Sequence, residues 1–111
     1  MVDHITLDVL CFQPNWVFEP HNKKYSKPAY RIYIDGHLLI ERTWVWGGHQ
    51  YVTENLLVEL HKENTSHHLK LEPVLLNPAQ AKFNLFNPTF NGRSMPLNWR
   101  DDFFLEISFD T

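Results

Sequence analysis

Cysteine is nearly absent from this chain: Cys11 is the single one in 111 residues. No intramolecular disulfide can form, which excludes a cystine-stapled secreted mini-domain. Cys11 lies in an alternating apolar run, where a buried and inert thiol is expected. A basic excess is missing as well. Ten Lys and Arg stand against thirteen Asp and Glu, a net charge of −3, so the footprint of a phosphate-backbone binder is lacking and nucleic acid is not an expected partner. No stretch approaches the ~18–20 apolar residues of a membrane span, and no membrane partner is expected. The opening residues, Met1-Val2-Asp3-His4-Ile5-Thr6, lack the basic start of a signal peptide. There is no P-loop, G-x-G-x-x-G, G-x-S-x-G or H-E-x-x-H, so neither an enzyme nor a cofactor is expected. No repeat of 20–50 residues is visible, which excludes a propeller or solenoid.

What is present is strand-forming. Hydrophobic residues make up 43% and charged residues 21%, the balance of an ordinary globular chain, and the length fits one domain spanning 1–111. Eight Phe, four Trp and four Tyr favour β structure. The dominant period is two. Ile5, Leu7, Val9 and Cys11 mark a first half-buried strand. Phe12 to Lys27, punctuated by Pro14 and Pro20, is expected to lie irregularly across the sandwich. Tyr30–Ile34, then Asp35-Gly36, then a strand from His37 to Trp46 is a hairpin signal, because both central residues of a type I′ turn need positive φ. Gln50–Leu60 has Val52, Glu54, Leu56, Val58 and Leu60 on one face, with a helix over Glu54–His61 as the competing reading. His68–Leu75 and Ala81–Phe90 follow, with Asn91-Gly92 as another turn. Phe103, Leu105, Ile107 and Phe109 make the last strand. About seven to eight strands and no confident helix predict an all-β, antiparallel two-sheet sandwich, jelly-roll-like or Ig-like.

Few side chains suggest chemistry. Seven histidines are scattered, and His67 and His68 point to opposite faces of one strand, so no metal site is expected and surface histidine is the reading. Asp101-Asp102 could help hold calcium, but such pairs are more often solvated. Trp44 and Trp46 share a strand face. They are either an aromatic platform for a sugar, with Arg42 beside them, or core side chains alongside Leu38 and Ile40. Arg42 on that face must be moved outward by a bulge near Glu41–Thr43, be paired, or stack on a Trp.

Tyr30-Arg31-Ile32-Tyr33-Ile34-Asp35-Gly36, the Trp-bearing strand, His68-Leu69-Lys70-Leu71-Glu72-Pro73, Asn77 and Phe90-Asn91-Gly92 resemble small jelly-roll carbohydrate-binding modules of the xylan-binding type. That resemblance implies a jelly roll. The family's calcium acids are not matched, since Pro78 follows Asn77 and Ala81, Lys82 and Asn84 stand before the closing strand. Glu41-Arg42-Thr43-Trp44-Val45-Trp46, Asn55–Leu60 and Asn77–Phe83 are similar to small uncharacterised proteins of tailed phages, including those infecting cyanobacteria. This implies a virion-associated β-sandwich, a capsid decoration or tail accessory protein assembled in the host cytoplasm.

Two functions follow as expectations. The first is a non-enzymatic structural protein acting by protein–protein contact, with capsid or tail proteins or further copies of itself as partners. Its expected contact residues are Met95, Leu97, Trp99 and Phe104, with Trp16 and Phe18 from the Pro-containing segment, because aromatics and Met are enriched at interface centres. The alternative is a carbohydrate-binding lectin using Trp44, Trp46 and Arg42.

Overall fold

Alternation along each strand sets the architecture. The computed structural model describes residues 2–12, 14–21, 23–48, 50–60, 66–76, 80–94 and 105–110, with backbone alone at 19, 24, 25 and 105–110. The described residues form strands and no helix: β1 (Asp3–Phe12), β2 (Val17–Glu19), β3 (Lys24–Ser26), β4 (Ala29–Ile34), β5 (His37–Thr43), β6 (Tyr51–Val58), β7 (Ser66–Val74), β8 (Lys82–Phe90), β9 (Arg93–Ser94) and β10 (Leu105–Asp110). One four-stranded sheet has the order β6-β1-β8-β9, the other β10-β7-β4-β5, and β2 and β3 form a separate ribbon. Every pairing is antiparallel.

This order is a jelly roll with a displaced starting point. Counted cyclically from β9 and leaving out the small ribbon, the first sheet holds strands six, three, eight and one, and the second holds two, seven, four and five. That is the two-sheet jelly-roll pattern, opened between its second and third strands.

Local chemistry explains the turns and bends. Asp35 and Gly36 have φ of 50° and 83°, and Asn91 and Gly92 have 49° and 84°, so both pairs meet the positive-φ requirement of a type I′ hairpin turn. In β8 one extra residue enters between the pairs Asp8↔Phe86 and Thr6↔Thr89, and Asn87 takes it up at φ 50°. This bulge switches the buried set from Phe83 and Leu85 to Pro88 and Phe90. A second bulge lies at Leu39, between Ile32↔Ile40 and Tyr33↔Leu38. It therefore falls earlier than Glu41–Thr43, and it leaves Leu38 exposed although Ile40 packs against the core.

The core fills from both sheets. Ile5, Leu7, Val9 and Cys11 of β1 are fully buried against Tyr30, Ile32, Leu69 and Leu71 of the second sheet. The Tyr30 ring meets Phe83 edge-on at 5.2 Å, and Trp44 lies 6.0 Å from Phe83. Burial pushes the Cys11 thiol up to about 12. Since the thiolate is the nucleophile, native protein is expected to resist a thiol-reactive dye that labels the unfolded chain fully; rapid native labelling would show that β1 opens.

Several expectations need correction. The strand expected to reach Trp46 ends at Thr43, because the next rung in register, the Trp44 N–H to the Pro28 carbonyl at 2.8 Å, cannot be returned: Pro28 has no N–H to donate. The segment expected to be irregular contains the β2–β3 ribbon. The competing helix over Glu54–His61 is not formed in the described part, where β6 runs to Val58. The last strand pairs with β7 from Leu105 to Asp110; Phe103 and the strand's side chains lie outside the described residues.

Candidate functional site

Glu54 is the charged residue on the apolar face of β6, and it is 2% exposed. An isolated carboxylate there would be very costly. The other sheet supplies its partners. Arg42 of β5 grips it with two donors, Nε to Oε1 and Nη2 to Oε2 at 2.9 Å, and the Tyr30 hydroxyl of β4 donates to Oε1 at 2.5 Å. Burial, then the bond to Glu54, pushes the Tyr30 phenol far above its usual range, so it stays a neutral donor. The Glu54 bond raises the Arg42 guanidinium further. These three groups are bound to one another across the two sheets, which gives them a structural role. Arg42 is thus paired, one of the outcomes open from sequence.

His67 corrects the surface reading of the histidines. It is fully buried at the start of β7, and its Nδ1–H donates to Asp35 Oδ2 at 2.7 Å. Asp35 Oδ1 accepts from the His68 amide at 2.8 Å. Burial pushes the Asp35 carboxyl up, but these hydrogen bonds and the histidine charges outweigh it and hold the group below the usual carboxylate range. The turn residue chosen for positive φ thereby ties the β4–β5 hairpin to β7. Beside it a cleft of about 230 Å³ opens between the hairpin and the end of β6, lined by Asp35, His37, Leu39, Leu57 and Leu60. Among the described residues no three His, Cys, Asp or Glu side chains are placed to hold a metal ion.

The expected site residues separate into three groups. Met95, Leu97, Trp99 and Phe104 lie outside the described residues. Trp16 and Phe18 are exposed, at 60% and 50%. Phe18 lies in β2 and Trp16 just before it, and the Lys27 ammonium lies 4.7 Å from the Trp16 ring centre. Trp44, by contrast, is 1% exposed. Trp46 is half-buried and packs edge-on against it at 5.2 Å. Trp44, Trp46 and Arg42 therefore form no open platform: one is core, one leans on it, and the third is held by Glu54.

The surface aromatics that sequence reading missed are Tyr51 and Phe86, in edge contact at 5.7 Å on the outer side of the first sheet. On β1, the strand between theirs, Asp8 accepts from Thr53 at 2.6 Å and from Asn87 at 3.2 Å. Their outward parity was readable, but the bulge at Asn87 that delivers its amide to Asp8 was not. The outer side of the second sheet is charged instead, with Arg31 between Glu41 and Glu72 at 3.4 and 3.8 Å. No family model matches the chain, and neither curated proteins nor solved structures offer a match.

Proposed function

We propose that the protein is a non-enzymatic interaction module that works by docking on other protein chains, as a repeated component of a phage particle such as a capsid decoration or tail accessory protein. The observation that carries this reading is the pair Trp16 and Phe18, half or more exposed in and just before a ribbon that pairs with neither sheet among the described residues. Large aromatics held at a surface are the residues that dominate interface energetics, and the ribbon can be covered without disturbing the core. The described buried ionisable side chains, Glu54 and His67, are already engaged by Arg42 and Asp35 in holding the fold. The similarity to small tailed-phage proteins supplies the setting.

The test is the double variant Trp16→Ala with Phe18→Ser. Circular dichroism should be unchanged while incorporation into particles, or co-assembly with particle proteins followed by light scattering, is lost. Normal assembly by the folded variant would sink the proposal. A second reading, saccharide binding, is favoured by Tyr51 and Phe86 flanking the Asp8–Thr53–Asn87 hydrogen bonds, since rings beside fixed polar groups suit sugar faces and hydroxyls; it moves the lectin alternative away from Trp44.

A further inference from the structure

Among the described residues, the outer edge of β6 presents unpaired backbone. Sheet order places β6 at one end of its sheet, and among the described residues it pairs with β1 alone. Which residues face the open side follows from one bond. The Asn91 N–H donates to the His4 carbonyl at 2.7 Å, so His4 turns its backbone groups toward β8. Alternation turns those of Ile5, Leu7 and Val9 toward β6, where Leu56, Glu54 and Val52 meet them. Tyr51, Thr53, Asn55 and Leu57 are left with N–H and C=O groups directed at the open edge.

Proteins usually blunt such edges with charge, proline, bulges or shortness. The other edges show these devices. β5 is bulged at Leu39 and carries Glu41 and Arg42. β9 has two residues, and β10 brings Glu106 and Asp110. β6 has none of them: it is eight residues long and regular, with no proline or glycine, and its outward residues are all uncharged. Tyr51 is 60% exposed and Leu57 73%. Thr53 and Asn55 bond back to Asp8 and His4 of β1, which draws their side chains away from the edge.

We infer that β6 pairs antiparallel with β6 of a second copy of this chain, joining two four-stranded sheets into one continuous sheet across a two-fold axis. A second copy is the occupant that the residues fit. With Glu54 on the axis, Tyr51 lies opposite Leu57 of the second copy and Thr53 opposite Asn55, each twice by symmetry. One register thus covers both exposed apolar side chains with each other, matches polar with polar, and engages every open backbone group in about eight hydrogen bonds, two per facing pair. On the inner side Glu54 meets its own copy, each carboxylate already bound by Arg42. The surface is separate from Trp16 and Phe18, and the inference needs nothing from that reading.

The experiment is the molar mass of the full chain by light scattering after size exclusion and by sedimentation, over a concentration series. The unaltered chain is expected to dimerise. Thr53→Pro removes an edge-facing N–H and leaves the backbone ladder to β1 intact, at the loss of the Thr53 hydroxyl's bond to Asp8, and Leu57→Lys sets a charge on the contact. Each should keep the native circular dichroism and weaken dimerisation by more than about tenfold, while Trp16→Ala with Phe18→Ser leaves it intact. If Thr53→Pro fails to fold, Leu57→Lys decides. A chain that stays monomeric throughout, or dimers that persist in the folded edge variants, would overturn the inference.

Discussion

Replacing Arg42 with alanine is expected to lower stability by about 3 kcal/mol at neutral pH. The loss comes from what stays behind. Glu54, 2% exposed, would be left inside the sandwich with the Tyr30 hydroxyl as its remaining described donor. The figure sits at the low end of the range for broken buried pairs because the Arg42 side chain is 40% exposed. Removing all the polar members together, as Arg42→Leu, Glu54→Leu and Tyr30→Phe, is expected to return to within about 1 kcal/mol of the parent, as apolar replacements of buried ion pairs commonly do. Urea melts at neutral pH measure both effects. A loss below about 1 kcal/mol for Arg42→Ala would place the pair in the class of surface ion pairs.

Trp44→Ala carries the second large effect, about 3–5 kcal/mol against a total of about 5–15 kcal/mol for a domain of this size. The indole is 1% exposed and touches three other rings, with centroids 6.5 Å from Tyr30, 6.0 Å from Phe83 and 5.2 Å from Trp46. It also lies just past the end of β5, where the chain leaves the second sheet for the first. Its Nε1 makes no hydrogen bond among the described residues, so Trp44→Phe loses volume but no polar partner and should cost much less. Thermal melts of the two variants beside Trp16→Ala separate core from surface: Trp16→Ala is expected to change stability by no more than about 0.5 kcal/mol. Equal losses at positions 44 and 16 would contradict the difference in burial.

Strand identity and turn position were readable because they depend on neighbours. The alternation of Ile5, Leu7, Val9 and Cys11 survives unaltered in the buried set, and Asp35-Gly36 and Asn91-Gly92 adopt the positive φ values that the pair types suggest. Glu54 was visible on an apolar face, and Arg42 was visible as a residue in need of an answer. What could not be read is that they answer each other, because they lie on different sheets and the meeting depends on how strands cross over. The bulge at Leu39 was missed because no Gly, Asn or Pro marks it; the register of β4 against β5 imposes it. His67 looked like half of a solvated pair, and only the placement of β7 beside the Asp35 turn buries it. The exposed Trp16 and Phe18 were read from composition alone, and nothing in their own spacing announced the β2–β3 ribbon that carries them.

The strand nearest the amino end sits in the interior of its sheet, and that has a consequence for synthesis. Ile5 pairs with Leu56 on one side and with Phe90 on the other. On a ribosome adding roughly 5–20 residues per second, β1 emerges with its apolar side complete and waits on the order of ten seconds for its second neighbour. The second sheet can begin from the β4–β5 hairpin, whose strands are adjacent in the chain. Vectorial folding would therefore start in the middle of the polypeptide, leaving Ile5, Leu7 and Val9 as the segment most in need of a chaperone's shelter until β8 has left the exit tunnel.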